Sequence, residues 1–315
     1  MVRIQRITSL PANIHEFIDE IASGLHTIYG EAAAADYRLK ARRSFSVGLL
    51  HPGVEVYAAE VDNVAAGIAM GFRRHSVGEI SLLHVLERHT GHQIEKRLVE
   101  TLVRSLQRDE DVATILYESV SLCRLQIAEA FGALGFEQLD RELMQSSLRT
   151  SALRRQEASL SVTCEPASWD ELAECIVDAY TGHPERRLHQ EVNNQASAID
   201  FVSRVAAGNY GAFHPDYLRV IWRQRVCTGA IVGCEVSPDT GFVLQVVVRR
   251  DAQRQGLGRI LLQELAAAFR HARLNSVALG VTCDNPARRL YQCLGFQTSL
   301  PVQAYVWWRA GAQPG

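Results

Sequence analysis

Gln253, Gly256 and Gly258 stand in a Q-x-x-G-x-G spacing within the run V-V-V-R-R-D-A-Q-R-Q-G-L-G-R-I-L-L of residues 246–262. Glycine lets a backbone turn tightly and approach a ligand, so successive N–H groups of such a loop can converge on one anion. The residues that follow have the leucine spacing of a helix, whose N-terminal N–H groups and dipole favour the same anion. Four arginines, Arg249, Arg250, Arg254 and Arg259, surround the turn. The chemistry this pattern supports is the grip of a pyrophosphate. A dinucleotide fingerprint is excluded, because it needs a third glycine and an acidic residue about 20 positions on.

The elements that must position this loop follow from apolar periodicity. The run 241–250 reads as the strand that delivers it, and 256–273 as a helix with Leu257, Leu261 and Leu265 on one face. Strands at 160–164, 218–224, 227–236, 276–283 and 302–309 accompany them, with helices after Ala167-Ser168, through 205 and at 286–293. The first half reads as strands at 1–8, 54–61, 63–72, 78–86, 112–120 and 139–148. Its helices fall at 11–28, 91–107 and 124–134, the second with Ile94, Leu98, Leu102 and Leu106 at four-residue steps. The polar stretch 149–159 suits a linker, which predicts domains at 1–150 and 160–315.

The two halves also match each other. Cys283 precedes Leu294-Gly295-Phe296 by the same interval that separates Cys123 from Leu134-Gly135-Phe136, and an aromatic residue, Tyr291 or Phe131, stands three places before the leucine. Upstream, residues 87–93 stand where 252–258 stand in the second half, with Gly91 opposite Gly256. Two blocks in the same order make duplication the better reading.

Composition narrows the class. A chain of 315 residues with net charge −2 offers nothing to attract bulk nucleic acid, so the arginines must act locally. Seven cysteines (123, 164, 175, 227, 234, 283 and 293) make no C-x-x-C pair, so neither a disulfide framework nor a metal site is indicated. The start M-V-R-I-Q-R-I lacks the apolar core of a signal peptide, and no apolar run reaches the roughly 18 residues of a membrane span. A cytoplasmic protein, monomer or homodimer, with no membrane or nucleic-acid partner, is expected.

Taken together, the Gln253–Gly258 loop and the later Asn285–Phe296 segment, N-P-A-R-R-L-Y-Q-C-L-G-F, resemble the GNAT superfamily of N-acetyltransferases. The whole chain resembles a tandem GNAT protein with a degenerate first copy. The resemblance implies an α+β fold with two twisted mixed sheets flanked by helices, each sheet splaying between its fourth and fifth strands. It implies acetyl-CoA as co-substrate and no metal. Val246, Val247 and Val248 would line the pantetheine arm, with Val246 and Val248 pairing to it like an added strand. Gln253, Arg254, Gln255, Gly256, Leu257, Gly258 and Arg259 would hold the pyrophosphate. Asn285 would contact the coenzyme arm, Arg288 its phosphates, and Tyr291 would face the departing sulfur. A Tyr hydroxyl with a pKa near 10 can protonate a thiolate whose conjugate acid lies at about 8–9.

The first half differs at each of these places. Gln93 stands opposite Gly258, Leu125 opposite Asn285 and Phe131 opposite Tyr291, while Arg88 and Gly91 are kept. The first copy is therefore read as structural. The general base is the open point, since residues 241–245, G-F-V-L-Q, lack the carboxylate many members carry. Glu235 on the neighbouring strand and His183, with Glu185 beside it, are the candidates; water alone is the other route. The implied activity is acetyl transfer to a primary amine of a small molecule by direct attack in a ternary complex. The alternative is a catalytically silent acyl-CoA-binding or interaction protein.

Overall fold

The computed structural model describes residues 2–91, 93–119, 127–154, 162–163, 169–189 and 192–311. In the first half, β1 (Arg3–Arg6) leads into helices α1 (Ile14–Tyr29) and α2 (Glu31–Leu50), then β2 (Val54–Val61), β3 (Val64–Arg74) and β4 (Val77–Val85). Helix α3 (Ile94–Arg108), β5 (Thr114–Ser119), α4 (Ala128–Ala133) and β6 (Glu137–Ser147) follow. The second half repeats the order: β7 (Val162–Thr163), α5 (Trp169–Tyr180), α6 (Gln195–Ala206), β8 (Leu218–Arg223), β9 (Val226–Ser237) and β10 (Thr240–Val248). It closes with α7 (Leu257–His271), β11 (Ser276–Thr282), α8 (Arg288–Cys293) and β12 (Gln297–Trp308). None of the described helices is long and apolar enough to cross a membrane.

These elements form two compact units, Met1–Asp140 with Val302–Pro314, and Arg141–Pro301. In the first unit the strand order is β1-β2-β3-β4-β5-β12, antiparallel throughout except for β4 and β5. In the second it is β6-β11-β10-β9-β8-β7, again with one parallel pair, β10 and β11. The last strand of each sequence half therefore belongs to the unit built from the other half. Strand β6 lies along β11 from Arg141↔Thr282 to Ser147↔Ser276, and β12 lies along β5 from Gln303↔Ser119 to Trp308↔Thr114. A division at 150 and 160 separates these strands from the sheets they complete. The segment after β6, read from its polarity as linker, is packed as far as it is described. Leu153 is fully buried, and Arg270 Nη1 donates to the carbonyls of Leu148 and Leu153 at 3.3 and 3.2 Å.

In the second unit α5 and α6 cover one face of the sheet, and α7 and α8 the other. The four-residue steps of Leu257, Leu261, Leu265 and Phe269 seat α7 on the sheet. The Phe269 ring lies so close that a Cβ on Gly241 would meet it at 2.5 Å, which explains glycine near the start of β10. In the first unit Ile94, Leu98, Leu102 and Leu106 seat α3 in the same way. Helix α2 packs Tyr37, Ala41, Phe45 and Leu49 inward at four-residue steps, but Leu39, Val47 and Leu50 face solvent and blur that pattern in the sequence.

Candidate active site

The second unit holds a cleft of about 560 Å³ between β10 and β11. Its origin is the strand pairing. On the β9 side β10 stays paired as far as Val248↔Gly229, but on the β11 side pairing ends at Val243↔Leu279. Between Val243 and Gln245 the register slips by one residue, so Leu244 forms a bulge that bends β10 away. From Leu244 to Val248 one edge of the strand is left open, and all five residues line the cleft. Alternate residues of a strand turn their N–H and C=O to the same edge, so Val246 and Val248 share one edge and Val247 takes the other.

At the end of β10 the chain enters the glycine loop. Arg249 N–H closes the last rung on the Thr228 carbonyl at 2.9 Å. A 3-10 turn, Arg250–Ala252, follows, and left-handed geometry at Arg254 (φ 61°) and Gly256 (φ 82°) then reverses the chain into α7. Gly256 is the N-cap and has no side chain to satisfy the helix. Ile260 N–H is the first to bond back, to the Gly256 carbonyl at 3.2 Å. The N–H groups of Leu257, Gly258 and Arg259 have no intrahelical partner and stand on the cleft wall. Gln253 Nε2 donates to the Val248 carbonyl at 3.1 Å and fixes the loop on the strand. Arg254 and Arg259 line the cleft and make no ion pair among the described residues. Arg250 is held instead by Asp178 of α5, whose carboxylate accepts its backbone N–H at 2.9 Å and faces its guanidinium at 3.5 Å. Gln255 turns from the cleft toward Arg223, which donates to its Oε1 at 2.5 Å.

The opposite wall is α8. Tyr291, 6% exposed, lines the cleft with its ring against Phe296, centroids 6.0 Å apart. Burial, with the nearby Glu185 charge, pushes its hydroxyl well above the ordinary phenol value. It is therefore a neutral donor at neutral pH. Asn285 sits before α8, with its Oδ1 accepting Ala287 N–H at 2.8 Å and its Nδ2 donating to Glu185 Oε2 at 2.7 Å. Glu185 also accepts Thr282 N–H at 2.7 Å and Thr282 Oγ1–H at 2.6 Å on its other oxygen. Burial alone would raise its carboxyl; the charges of His189 and Arg141 and the Thr282 donors outweigh that and hold it below the usual carboxylate value. Arg288 is a correction to the sequence reading, because its side chain is not on the cleft wall. Its guanidinium grips Glu142 of β6 through Nε and Nη2, where the carboxylate also accepts the Thr298 hydroxyl.

Neither proposed base stands up to the geometry. Glu235 lies opposite Gly241 near the far end of β9, outside the cleft, and accepts the Tyr217 hydroxyl. His183 does line the cleft, but its Nδ1 accepts Glu185 N–H at 3.2 Å as the cap of a 3-10 turn. Burial lowers its pKa, so the ring is neutral at neutral pH, and with Nδ1 occupied its hydrogen sits on Nε2. A ring in that state has no lone pair to offer. The signal was in the sequence: His214-Pro215-Asp216 repeats the His-Pro-acid triplet, and there too Nδ1 accepts the N–H two residues on, at 3.2 Å. The tightly held Glu185 and Glu142 were the residues that sequence reasoning undervalued or missed.

The first unit keeps the frame and loses the cleft chemistry. Gln93, with φ 59°, caps α3. Arg88 pairs with Glu16. Phe131, fully buried, stacks on Tyr117 and Tyr305 with centroids 5.3 and 4.5 Å away. Leu125 and Cys123 lie outside the described residues.

Known proteins place this architecture. Residues 172–296 match the model of the Acetyltransferase (GNAT) family. The structure is similar along its full length to a GCN5-related N-acetyltransferase from Sphaerobacter thermophilus, at 18% identity and a TM-score of 0.67, covering 96% of that chain. It is similar also to a tandem GNAT protein from the clavulanic acid biosynthesis pathway, at 16% identity and a TM-score of 0.57, with both chains covered completely. A putative acetyltransferase from Pyrococcus horikoshii aligns with 98% of this chain and 89% of its own, at 14% identity and a TM-score of 0.57. A search of curated proteins gave no match. Residues 172–296 thus match the GNAT family, for which acyl transfer is the general function, and the chain as a whole has a tandem GNAT fold.

Proposed function

We propose that residues 141–301 bind acetyl-CoA in this cleft and transfer its acetyl group to a primary amine of a small molecule. The observation that carries the reading is the meeting, in one cleft, of an uncapped helix N-terminus, an open strand edge and a buried Tyr hydroxyl. The free N–H groups of Leu257, Gly258 and Arg259, with the Arg254 and Arg259 charges, suit a pyrophosphate. The open edge at Val246 and Val248 suits the amides of a pantetheine arm. Bound there, acetyl-CoA supplies an activated acyl group as a thioester. Tyr291 keeps its proton at neutral pH and can pass it to the departing sulfur while regaining one from the nitrogen made cationic by the attack, so that amide, thiol and neutral Tyr291 result. Asn285 retains one Nδ2 hydrogen beyond its bond to Glu185.

No carboxylate of the described cleft wall is free to take the ammonium proton, since Glu185 already accepts three hydrogen bonds. The amine therefore loses that proton to water before it attacks. On this account the alkaline rise of kcat/KM follows the acceptor's own pKa and moves when the acceptor is changed. A limb that stays put across acceptors would instead point to a base on the protein. The reaction is tested by following thiol release from acetyl-CoA against a panel of amines. Release that depends on the amine supports transfer. Coenzyme binding with no release above hydrolysis for any amine would leave a silent binding module.

A further inference from the structure

Helix α8 has six residues, too few to hold its shape or direction without outside support. It nevertheless carries Tyr291, whose hydroxyl must meet a reacting atom to within a fraction of an ångström. Its support comes from both ends. At the near end Asn285 is tied to Glu185 and caps Ala287. After the helix Gly295 lies against Thr150, where a Cβ would approach Thr150 Cγ2 to 2.7 Å. Between these, Arg288 is the first helical residue and lies three positions before Tyr291, on the same side of the helix. Its guanidinium is bound through two nitrogens by Glu142, whose side chain is 5% exposed. The Thr298 hydroxyl donates to the same carboxylate from the strand that follows α8. One buried anion thus ties the start of α8 and the segment after it to strand β6. Two-point Arg–carboxylate geometry sets direction as well as distance, which a single hydrogen bond does not.

We propose that Glu142 is a positioning residue for the reaction: it sets the place of Tyr291 by holding Arg288 at the head of α8. The inference rests on the reading of Tyr291 as proton donor. It also gives the last strand of the first sequence half a part in the chemistry of the second unit. Glu142 touches neither donor nor acceptor; its effect passes through Arg288 and the helix. Displacement of a reacting group by about 1 Å can cost up to about 100-fold in rate, so a loosened α8 is expected to slow turnover while leaving the loop that binds coenzyme intact.

The test is a double-substitution cycle in the full-length chain, with kcat and coenzyme Kd measured separately. Glu142→Gln keeps the shape and removes the charge, and is expected to lower kcat about 10-fold with Kd within about twofold. Glu142→Asp should recover part of the loss. In a Tyr291→Phe background the same Glu142→Gln change should have almost no further effect, because the group it positions is gone. Equal effects of Glu142→Gln in both backgrounds, or a rise in Kd with unchanged kcat, would overturn the proposal. If Glu142→Gln folds poorly by its melting temperature, Arg288→Lys reads the same link from the more exposed partner. Should Tyr291→Phe itself leave kcat unchanged, the proton-donor reading fails first, and the cycle separates that outcome from a failure of positioning.

Discussion

The two units share one frame and differ in the side chains that fill it. Parallel pairing covers four residue pairs in each, Val77↔Thr114 to Ile80↔Tyr117 and Thr240↔Ser276 to Val243↔Leu279. Directly after it each has a bulge, at Ser81 and at Leu244. Each ties its first helix to the turn after the bulged strand by a carboxylate that accepts a backbone N–H: Glu20 to Glu87 at 3.1 Å, and Asp178 to Arg250 at 2.9 Å. Each starts its long helix from a left-handed N-cap, Gln93 at 59° and Gly256 at 82°, with a second left-handed residue two places earlier, Gly91 at 84° and Arg254 at 61°, so the structure pairs Gln93 rather than Gly91 with Gly256. What differs is the filling. In the first unit Phe131 is locked between Tyr117 and Tyr305; in the second Tyr291 looks onto an open cleft. The splayed sheet is thus a property of the fold, while the proposed binding rests on a few side chains that leave it open and polar.

Substitutions in matched places of the two units test this contrast. The largest effect is expected from Met144→Asp, which places a charge in the second unit's core and should cost several kcal/mol. Coenzyme binding should be lost although residue 144 lies in the first half of the sequence. Tyr305→Asp, in the second half, should raise hydrogen exchange across the first unit's strands and spare coenzyme binding. Survival of binding in Met144→Asp would deny β6 its place in the second unit.

Next is Tyr291→Phe, expected to lower kcat about 100-fold with coenzyme affinity unchanged. The reciprocal Phe131→Tyr should add no activity. It buries a hydroxyl in an aromatic stack and should cost about 1–3 kcal/mol, measured by denaturant unfolding. A smaller effect is expected from Asp178→Ala, which frees Arg250 and should raise the coenzyme KM about fivefold, or ~1 kcal/mol. Glu20→Ala, its counterpart, should leave that KM alone.

The smallest effect is in pH dependence. Glu185 is held below 4.5 in the folded chain, so it binds a proton less readily there than when unfolded. Its contribution to stability is complete above about 4.5 and is lost as pH falls through the folded value. Melting temperature measured from pH 6 downward should therefore fall less steeply in Glu185→Gln than in the parent chain, and parallel curves would remove Glu185 from the account.

Much of this was legible in the sequence, and the exceptions have a physical pattern. The loop, α3, α7 and the strands around them are specified by local periodicity and by glycines whose conformation follows from neighbours a few residues away. The exchange of β6 and β12 was not legible, because both are good strands in either sheet and only pairing decides between them. Helix α2 is obscure in the sequence because its inward Tyr37, Ala41, Phe45 and Leu49 are interleaved with the exposed apolar residues Leu39, Val47 and Leu50. Glu142 and Glu185 look like ordinary charged residues until Arg288 and Asn285, each at least 100 positions away, are brought to them. His183 misled for the opposite reason: a His-Pro turn uses the lone pair that catalysis would need.

On the proposed function, one splayed sheet of the two binds coenzyme, and the glycine loop decides which. Titration calorimetry with acetyl-CoA tests it directly on the parent chain and two matched variants, Gly256→Glu and Gly91→Glu. Both sites have the same left-handed backbone and open space around a Cβ, so strain is matched between them. The account predicts one site per chain in the parent, no measurable binding in Gly256→Glu and unchanged binding in Gly91→Glu. Two sites per chain, or equal loss in both variants, would contradict it.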